Sequence, residues 1–424
     1  MIETTEMKAG YKITKLGWIP EEWDEIAFNN VFGFAKTYAY SRKALKKYES
    51  DTDIFNIHYG DIHSKFNCNQ LNILNSVELI PTIMEPRQDY DFLKDGDLVI
   101  ADASEDYEGI CACIELNNLK NLKVTGGLHT FIARDLNGKT VAGYRSYIFK
   151  NAFVANELKR ISTGTSVYGV SKSNLGKMLI PLPPLPEQKK IADILSTWDK
   201  AIETTQALVH KLKLRKKGLM QQLLTGKKRL PGFEEEWEVF RMEEVTENFS
   251  KRNKKLINAR VYSVTNNRGF IYQTDMFSRE VAGKDLTGYK IISKNEFAYN
   301  PARVNVGSIA LFKNEVGIIS SLYVCFRTNQ NLLDSYLEYL LETHEFKFNI
   351  ERYGEGGVRI YLWYYLFKHI KMKLPTVKEQ TAIAKLLNKS DEEINQRQNY
   401  LDQLQAQKKG LMQQLLTGQK RVIV

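Results

Sequence analysis

The chain has 424 residues, length enough for two domains with full-sized cores at roughly 100 to 200 residues each. Hydrophobic residues at 43% and charged residues at 26% are ordinary for a soluble globular protein, and no run approaches the ~18 apolar residues of a membrane span, so a membrane-spanning chain is excluded. A formal charge of +10 favours an anionic partner, whether DNA, RNA or an acidic protein.

The N-terminal stretch MIETTEMKAGYKITKLGW has no apolar segment behind a basic start, so no secretion signal is expected and the chain reads as cytoplasmic. Residues 16–32, LGWIPEEWDEIAFNNVF, resemble residues 230–249, LPGFEEEWEVFRMEEVTENF, with Trp23 matching Trp237 at an offset of 237 − 23 = 214. A longer repeat lies further on. KKGLMQQLLTGKKR at 216–229 and KKGLMQQLLTGQKR at 408–421 differ at one position, at an offset of 408 − 216 = 192. The first half therefore carries 214 − 192 = 22 extra residues, expected in surface loops of its variable middle.

Each lead is followed by a basic, aromatic-flecked stretch, FAKTYAYSRKALKKY (34–48) in the first half and FSKRNKKLINARVY (249–262) in the second. Runs rich in Ile, Val, Tyr and Phe come next: IFNIHYGDIH (54–63), DLVIADAS (97–104), VYSVTNN (261–267) and FAYNPARVNVGSIALF (297–312). These read as strands and turns. LLDSYLEYLLETHEFKFNI (332–350) places Leu333, Leu337, Leu340 and Leu341 at helical spacing, so each globular part is α+β. Cys68, Cys111, Cys113 and Cys325 lack CxxC spacing and stand apart from any His cluster; they read as buried or half-buried thiols, with no disulfide or metal framework.

Both halves then turn a proline-bearing corner, IPLPPLPEQ (180–188) and KLPTVKEQ (373–380), with Glu187 and Glu379 at the 192 offset. Proline is compatible with a helix entry, and an acidic side chain there suits the helix dipole. Heptad runs follow. The first seam is Ile191, Leu195, Trp198, Ile202, Val209, Leu212, Leu219 and Leu223, with Thr205 and Lys216 in its remaining slots. The second is Ile383, Leu387, Ile394, Leu401, Leu404, Leu411 and Leu415, interrupted by Ser390, Arg397 and Lys408. Sustained 3.5-residue spacing predicts coiled-coil packing, and Gly226 and Gly418 fall where a C-terminal glycine cap would end each helix.

These features divide the chain into a first globular domain at 1–186, a spacer helix at 187–226, a second globular domain at 227–378, and a second spacer helix with its tail at 379–424. Because the second globular part leaves one helix and enters the next, neighbouring termini would set the helices antiparallel. A helix over 187–224 would span roughly 57 Å, with the two globular parts at its ends and a pseudo-twofold internal repeat.

Searches for catalytic chemistry return little. GKDLTGYK (283–290) has phosphate-loop glycine spacing, but Tyr289 occupies the lysine position and no Ser or Thr follows Lys290. YNPAR resembles in part the Asn-Pro-Pro-aromatic loop of amino-methyltransferases; Ala302 and Arg303 replace the second proline and the aromatic, and no glycine-rich cofactor loop accompanies it. His58, His63 and His129 belong to no metal-binding spacing and read as ordinary surface or core residues. No catalytic or metal-ligating residue is assigned. A binding architecture remains: two basic heads that could grip one duplex at half-sites about one turn, ~34 Å, apart. The heads differ in sequence, so two different half-sites are expected.

On LPPLPEQKKIADILSTWDKAI, KKGLMQQLLTG, DGDLVIADAS, GGLHTFIAR and YNPARVNVGSIAL, the sequence resembles, over its whole length, the specificity (S) subunit of type I restriction-modification systems. The resemblance implies two target-recognition domains reading a split, asymmetric site in double-stranded DNA. It also implies docking of two modification subunits, which bring S-adenosylmethionine and adenine methylation, and of two restriction subunits that use ATP and Mg, with no cofactor in this chain.

Base-reading residues do not follow from the resemblance, so side-chain chemistry selects them. Arg pairs guanine, Asn or Gln pairs adenine, and Lys holds phosphate. In the second head the candidates are Lys251, Arg252, Asn266, Asn267, Arg268, Arg303 and Arg359; in the first they are Lys36, Arg42, Lys43, Tyr59, His63, Ser166, Tyr168 and Lys172. Arg303 is the best single candidate, although an ion pair with a carboxylate would explain it equally well. The competing reading is a coiled-coil scaffold whose heads bind protein, its basic charge incidental.

Overall fold

The computed structural model describes residues 9–50, 52–66, 68–266, 268–276, 285–357 and 360–423. The chain forms two compact units, Met1–Gln206 with Asn399–Val424, and Ala207–Gln398.

In the first unit the principal elements are β1 (Asp24–Ala27), β2 (Phe32–Ala35), β3 (Ile54–Ile57), α1 (Tyr59–Ser64), β4 (Leu98–Ala101), β5 (Lys123–Gly126), β6 (Thr130–Asp135), β7 (Leu179–Leu182) and, as far as Gln206, the long α2 (Leu185–Leu223). β2, β6 and β4 are antiparallel neighbours, β3 and β5 pair in parallel, and β7 returns against β1. β4 is apolar at every position because both of its faces are covered. Leu98 and Ile100 face a core shared with Trp23, Phe28, Tyr147 and α2, whereas Val99 and Ala101 face a second core with Phe55, Val124 and Ile132.

The second unit repeats this order with β8 (Glu238–Arg241), β9 (Thr246–Phe249), β10 (Val261–Thr265), β11 (Gly269–Tyr272), β12 (Lys290–Ser293), β13 (Phe297–Tyr299), β14 (Val316–Ile319), β15 (Val324–Thr328), β16 (Lys371–Leu374) and, as far as Gln398, the long α3 (Val377–Leu416). β9, β15 and β13 are antiparallel, β10 and β14 are parallel, and β16 returns against β8. Phe297, Tyr299 and Phe326 face the helix-side core, while Ala298 and Cys325 face the other. The fold is α+β with an internal repeat.

One expectation needs correction, because Cys68 is exposed where the sequence predicts a buried or half-buried thiol, and two stretches resolve more finely than their spacing shows. Residues 54–63 do not form one strand: the strand ends at Ile57, and the Asp61 carboxylate accepts the His58 amide at 3.0 Å, which opens α1 and puts Tyr59 and His63 on a helix. Residues 332–350 form two helices, Asp334–Leu340 and His344–Tyr353, because the Thr343 hydroxyl accepts from the Phe346 amide at 3.2 Å and starts a new one.

The helices begin two residues ahead of Glu187 and Glu379. Ile191, Leu195, Val209, Leu212, Leu223, Ile383, Leu387, Ile394, Leu401, Leu404 and Leu415 are buried, and Trp198, Ile202, Leu219 and Leu411 half-buried. Gly226 and Gly418 take left-handed φ values of 67° and 71°, as a glycine C-cap requires. In the first unit Glu187 of α2 meets Arg421, and Asp199 meets Lys408, so the partner's number falls as that of α2 rises. Glu379 with Arg229 and Asp391 with Lys216 repeat this in the second. Within each unit the two helix segments are therefore antiparallel.

The glutamates anchor more than the helices. Glu187 also accepts the Trp23 indole N–H at 2.8 Å, and Glu379 that of Trp237 at 3.1 Å. The adjacent Gln188 and Gln380 donate to the carbonyls of Pro183 and Pro375, locking each proline corner. Lys216 and Lys408 do not merely interrupt the seam. Each ammonium pairs with an aspartate and lies over a tyrosine ring, Tyr339 at 4.9 Å and Tyr147 at 5.7 Å, whose hydroxyl donates to that same aspartate. Burial and the aspartate push both phenols well above their usual range. Thr205 and Ser390 satisfy their hydroxyls on carbonyls one turn back, and Arg397 is exposed.

Candidate nucleic-acid interface

Strand register gathers three connections at one end of each unit. In the first, parallel β3 and β5 finish side by side at Ile57 and Gly126, and β6 starts at Thr130 beside the end of β4 at Ala101. In the second, β10 and β14 align Tyr262 with Ile319, and β15 starts at Val324 beside Tyr299 of β13. The segments after β3 and β10, those after β4 and β13, and the β5–β6 and β14–β15 turns are thus equivalent.

In the first unit this end is aromatic and polar. Tyr59 and His63 stand four residues apart on α1, hence on one face. The Tyr59 amide donates to the Leu128 carbonyl at 3.2 Å, and its ring meets His129 edge-on at 5.3 Å and His63 at 6.2 Å. His63 Nε2 lies 3.0 Å from the Ala103 carbonyl, while Ala103–Ser104 pairs with Tyr168–Gly169. Tyr168 lies against Tyr107 with ring centroids 4.0 Å apart. The Arg42 guanidinium reaches within 3.7 Å of the point where a side chain on Gly60 would begin. Beneath them His58 is buried, and that burial, with Arg42, Lys65 and His129 nearby, holds its ring below the usual histidine range against the pull of Asp61.

The structure thus brings together Arg42, Tyr59, His63 and Tyr168. Lys43 is exposed in the same turn as Arg42, and Ser166 is exposed two residues before Tyr168. Lys36 is exposed beyond the end of β2. The Lys172 ammonium stands apart, over Phe34 at 5.1 Å and Phe131 at 5.9 Å.

In the second unit Asn266 and Arg268 occupy the β10–β11 hairpin tip, where the Arg268 amide donates to the Thr265 hydroxyl at 3.1 Å. The loop after β13 closes on this tip: the Ser308 hydroxyl donates to the Val264 carbonyl at 2.8 Å, and a Cβ on Gly307 would stand 3.2 Å from the Asn266 carbonyl oxygen. Arg303 is exposed on that loop, with no carboxylate partner among the described residues. Asn266, Arg268 and Arg303 are therefore one group. Asn267 and Arg359 lie outside the described residues.

Lys251 and Arg252 are elsewhere. Arg252 bridges to Lys290 beyond β12, at the edge of the sheet opposite β11, and donates to the Gly288 carbonyl at 2.9 Å. Ser250, the residue before them in the chain, lines a groove of about 740 Å³ together with Phe249, Lys290, Trp363, Tyr365 and Lys368. Lys290 donates to the Tyr323 carbonyl at 2.6 Å, and burial lowers the affinity of its amine for a proton. A run of sequence cannot show which edge of a sheet its residues reach. His129 is the residue that sequence reasoning passed over: the glycine pair before it marked a tight turn, but nothing local showed that the turn meets α1 and Asp102.

The domain family described as "Type I restriction modification DNA specificity domain" matches residues 20–214 and 234–405. The type I restriction enzyme MjaVIII specificity subunit of Methanocaldococcus jannaschii is 28% identical over 303 residues, 66% of this chain and 70% of that protein. The putative MjaX specificity subunit of the same organism is 27% identical over 317 residues, 70% of this chain and 72% of that one. The crystal structure of the type I restriction-modification S subunit from M. genitalium shares the fold with a TM-score of 0.56 at 14% identity, covering 96% of this chain and 99% of that one. These matches disfavour the protein-scaffold reading. With one match in each half and most of the chain covered, the chain belongs to the type I restriction-modification DNA specificity family.

Proposed function

We propose that this chain is the noncatalytic DNA-reading subunit of a type I restriction-modification complex, and that each compact unit reads one half of a bipartite, asymmetric site. The observation that carries this reading is the equivalence of the gathered loop ends: Arg42, Tyr59, His63 and Tyr168 on one framework, Asn266, Arg268 and Arg303 on its repeat. Equal frameworks with unequal tips read unequal half-sites. The paired helices set the spacing and dock two modification subunits, which carry S-adenosylmethionine and methylate adenine; two restriction subunits carry ATP and Mg. All of this takes place in the cytoplasm.

The test is a head exchange in the assembled complex. Residues 30–180 are replaced by the first head of another family member, and adenine methylation is mapped in the host genome. One half of the methylated site changes and the other stays. A change in both halves overturns the two-reader assignment.

A further inference from the structure

We propose that His129 reads a base edge in the half-site of the first unit, through Nε2, with Asp102 as the residue that sets its tautomer; this rests on the reading of that unit as a DNA reader. Five observations converge. First, His129 sits in the left-handed region at φ 54°, a conformation that favours glycine or asparagine, in the turn between β5 and β6. Second, the turn is held from both sides: the Asp102 amide donates to the His129 carbonyl at 3.2 Å, and the Tyr59 amide donates to the Leu128 carbonyl at 3.2 Å. A Cβ on Gly127 would stand 2.5 Å from Asn56 Oδ1 and 2.6 Å from His58 Cδ2, so only glycine admits this approach.

Third, His129 Nδ1 lies 3.1 Å from Asp102 Oδ1. A carboxylate accepts there, so the proton sits on Nδ1 and the neutral ring presents Nε2 as an acceptor. Fourth, the side chain is 52% exposed, and Nε2 has no hydrogen-bond partner among the described residues. Fifth, the equivalent turn of the second unit carries Tyr323, buried, its hydroxyl accepting from the Val264 amide at 3.2 Å. The framework therefore accepts an inward aromatic at this turn, and packing does not call for an outward imidazole on a strained backbone. An outward acceptor among Arg42, Tyr59 and His63 suits an exocyclic amine in the major groove, adenine N6 or cytosine N4.

The full-length chain is used to select from a random-sequence duplex library, and the selected duplex is then titrated at several salt concentrations. Wild type selects a bipartite site. His129→Asn, which tolerates the left-handed backbone but withdraws Nε2, selects the same site with one base pair relaxed in one half. Its affinity falls about 5- to 150-fold, the range of a single base contact, and the salt slope is unchanged. Asp102→Ala withdraws the acceptor that fixes the tautomer, so the ring proton is free to sit on either nitrogen and the preference at that base pair broadens to include an acceptor edge. An unrelaxed site with His129→Asn overturns the proposal, as does a salt slope shallower by about one, which marks a phosphate contact. If only Asp102→Ala leaves the preference unchanged, the tautomer assignment falls. If wild type selects no site, the DNA-reading assignment itself falls, an outcome distinct from the others.

Discussion

The two units differ most where they pack least. At their helix ends they are nearly superimposable in chemistry: Trp23, Glu187 and Arg421 in one, Trp237, Glu379 and Arg229 in the other, each glutamate receiving one indole N–H and one guanidinium. At the gathered loops the two units part: a short helix faces a hairpin, and His129 faces Tyr323. A buried carboxylate needs the same partners wherever it occurs, because leaving it unpaired is costly. An exposed loop tip has no such requirement and can vary with what it contacts. The drift in offset tells the same story. Between corresponding strand starts it falls from 246 − 32 = 214 at β2 and β9, through 261 − 54 = 207 and 297 − 98 = 199, to 371 − 179 = 192 at β7 and β16. The 22 extra residues of the first half are therefore spread over several connections instead of forming one insertion.

If the two helix ends are equivalent, they should fail alike. Arg421→Met and Arg229→Met each strand a glutamate that is 2% and 1% exposed, respectively, with an indole as the one side-chain donor left among the described residues. Each should cost about 3 kcal/mol, the low end for breaking a buried pair because the arginines are partly open to water. Unit-resolved hydrogen exchange is the measurement, since a two-unit chain has no single unfolding free energy. Equal losses, each confined to its own unit, support the equivalence; a loss below about 0.5 kcal/mol in either unit would break it.

The glycine caps sharpen the comparison by differing. Both lie in the left-handed region, so alanine costs about 1 kcal/mol at either from backbone strain alone. Their surroundings are not the same. A Cβ on Gly226 meets Trp237 at an ordinary 3.5 Å, whereas one on Gly418 would stand 2.4 Å from Pro20 Cγ, a ring that cannot swing aside. Gly418→Ala should therefore destabilise its unit by at least ~1 kcal/mol more than Gly226→Ala does, in the same exchange experiment. Equal effects would mean that the lead segment carrying Pro20 is loosely held.

Legibility followed the repeat. The heptad seams, the glycine caps, the glutamate entries and the antiparallel sense could be read because each appears twice and long helices are governed by local spacing. The same offset also contained a signal that was passed over: Tyr147 and Tyr339, Asp199 and Asp391, Lys408 and Lys216 all stand 192 apart, and each trio forms one cluster. Read singly, the two lysines look like seam interruptions. The candidate interface was half legible. Residue type picked out Arg42, Tyr59, His63, Asn266, Arg268 and Arg303, which the fold gathers in two groups. It equally picked out Lys251 and Arg252, which non-local strand order sends to the far edge of a sheet. No periodicity encodes strand order, and none marks His129.

Acid gives the smallest and most selective contrast. His58 is buried in the first unit, and its counterpart after β10 is a hairpin tip without a histidine. Burial lowers its folded pKa below the ordinary value of 6.5, with Arg42, Lys65 and His129 adding to the effect and Asp61 opposing it. Between the folded pKa and 6.5 the unfolded chain binds more protons than the native one, so stability rises with pH across that window. His58 therefore contributes fully above about pH 6.5, and its contribution is lost as pH falls toward the folded value. In the second unit burial raises the carboxyls of Glu296 and Glu342, whose linkage has the opposite sign: native protonation is favoured, and stability falls as pH rises through their folded values. Glu115 acts in that opposite sense within the first unit, which is why the histidine must be isolated by substitution. On acidifying from about pH 7.5 to 5.5, amides of β3 and α1 should lose protection relative to those of β10, after correction for intrinsic exchange. His58→Gln should remove that differential, because an amide can fill the site without titrating. A differential that persists in His58→Gln would place the acid sensitivity elsewhere in the first unit.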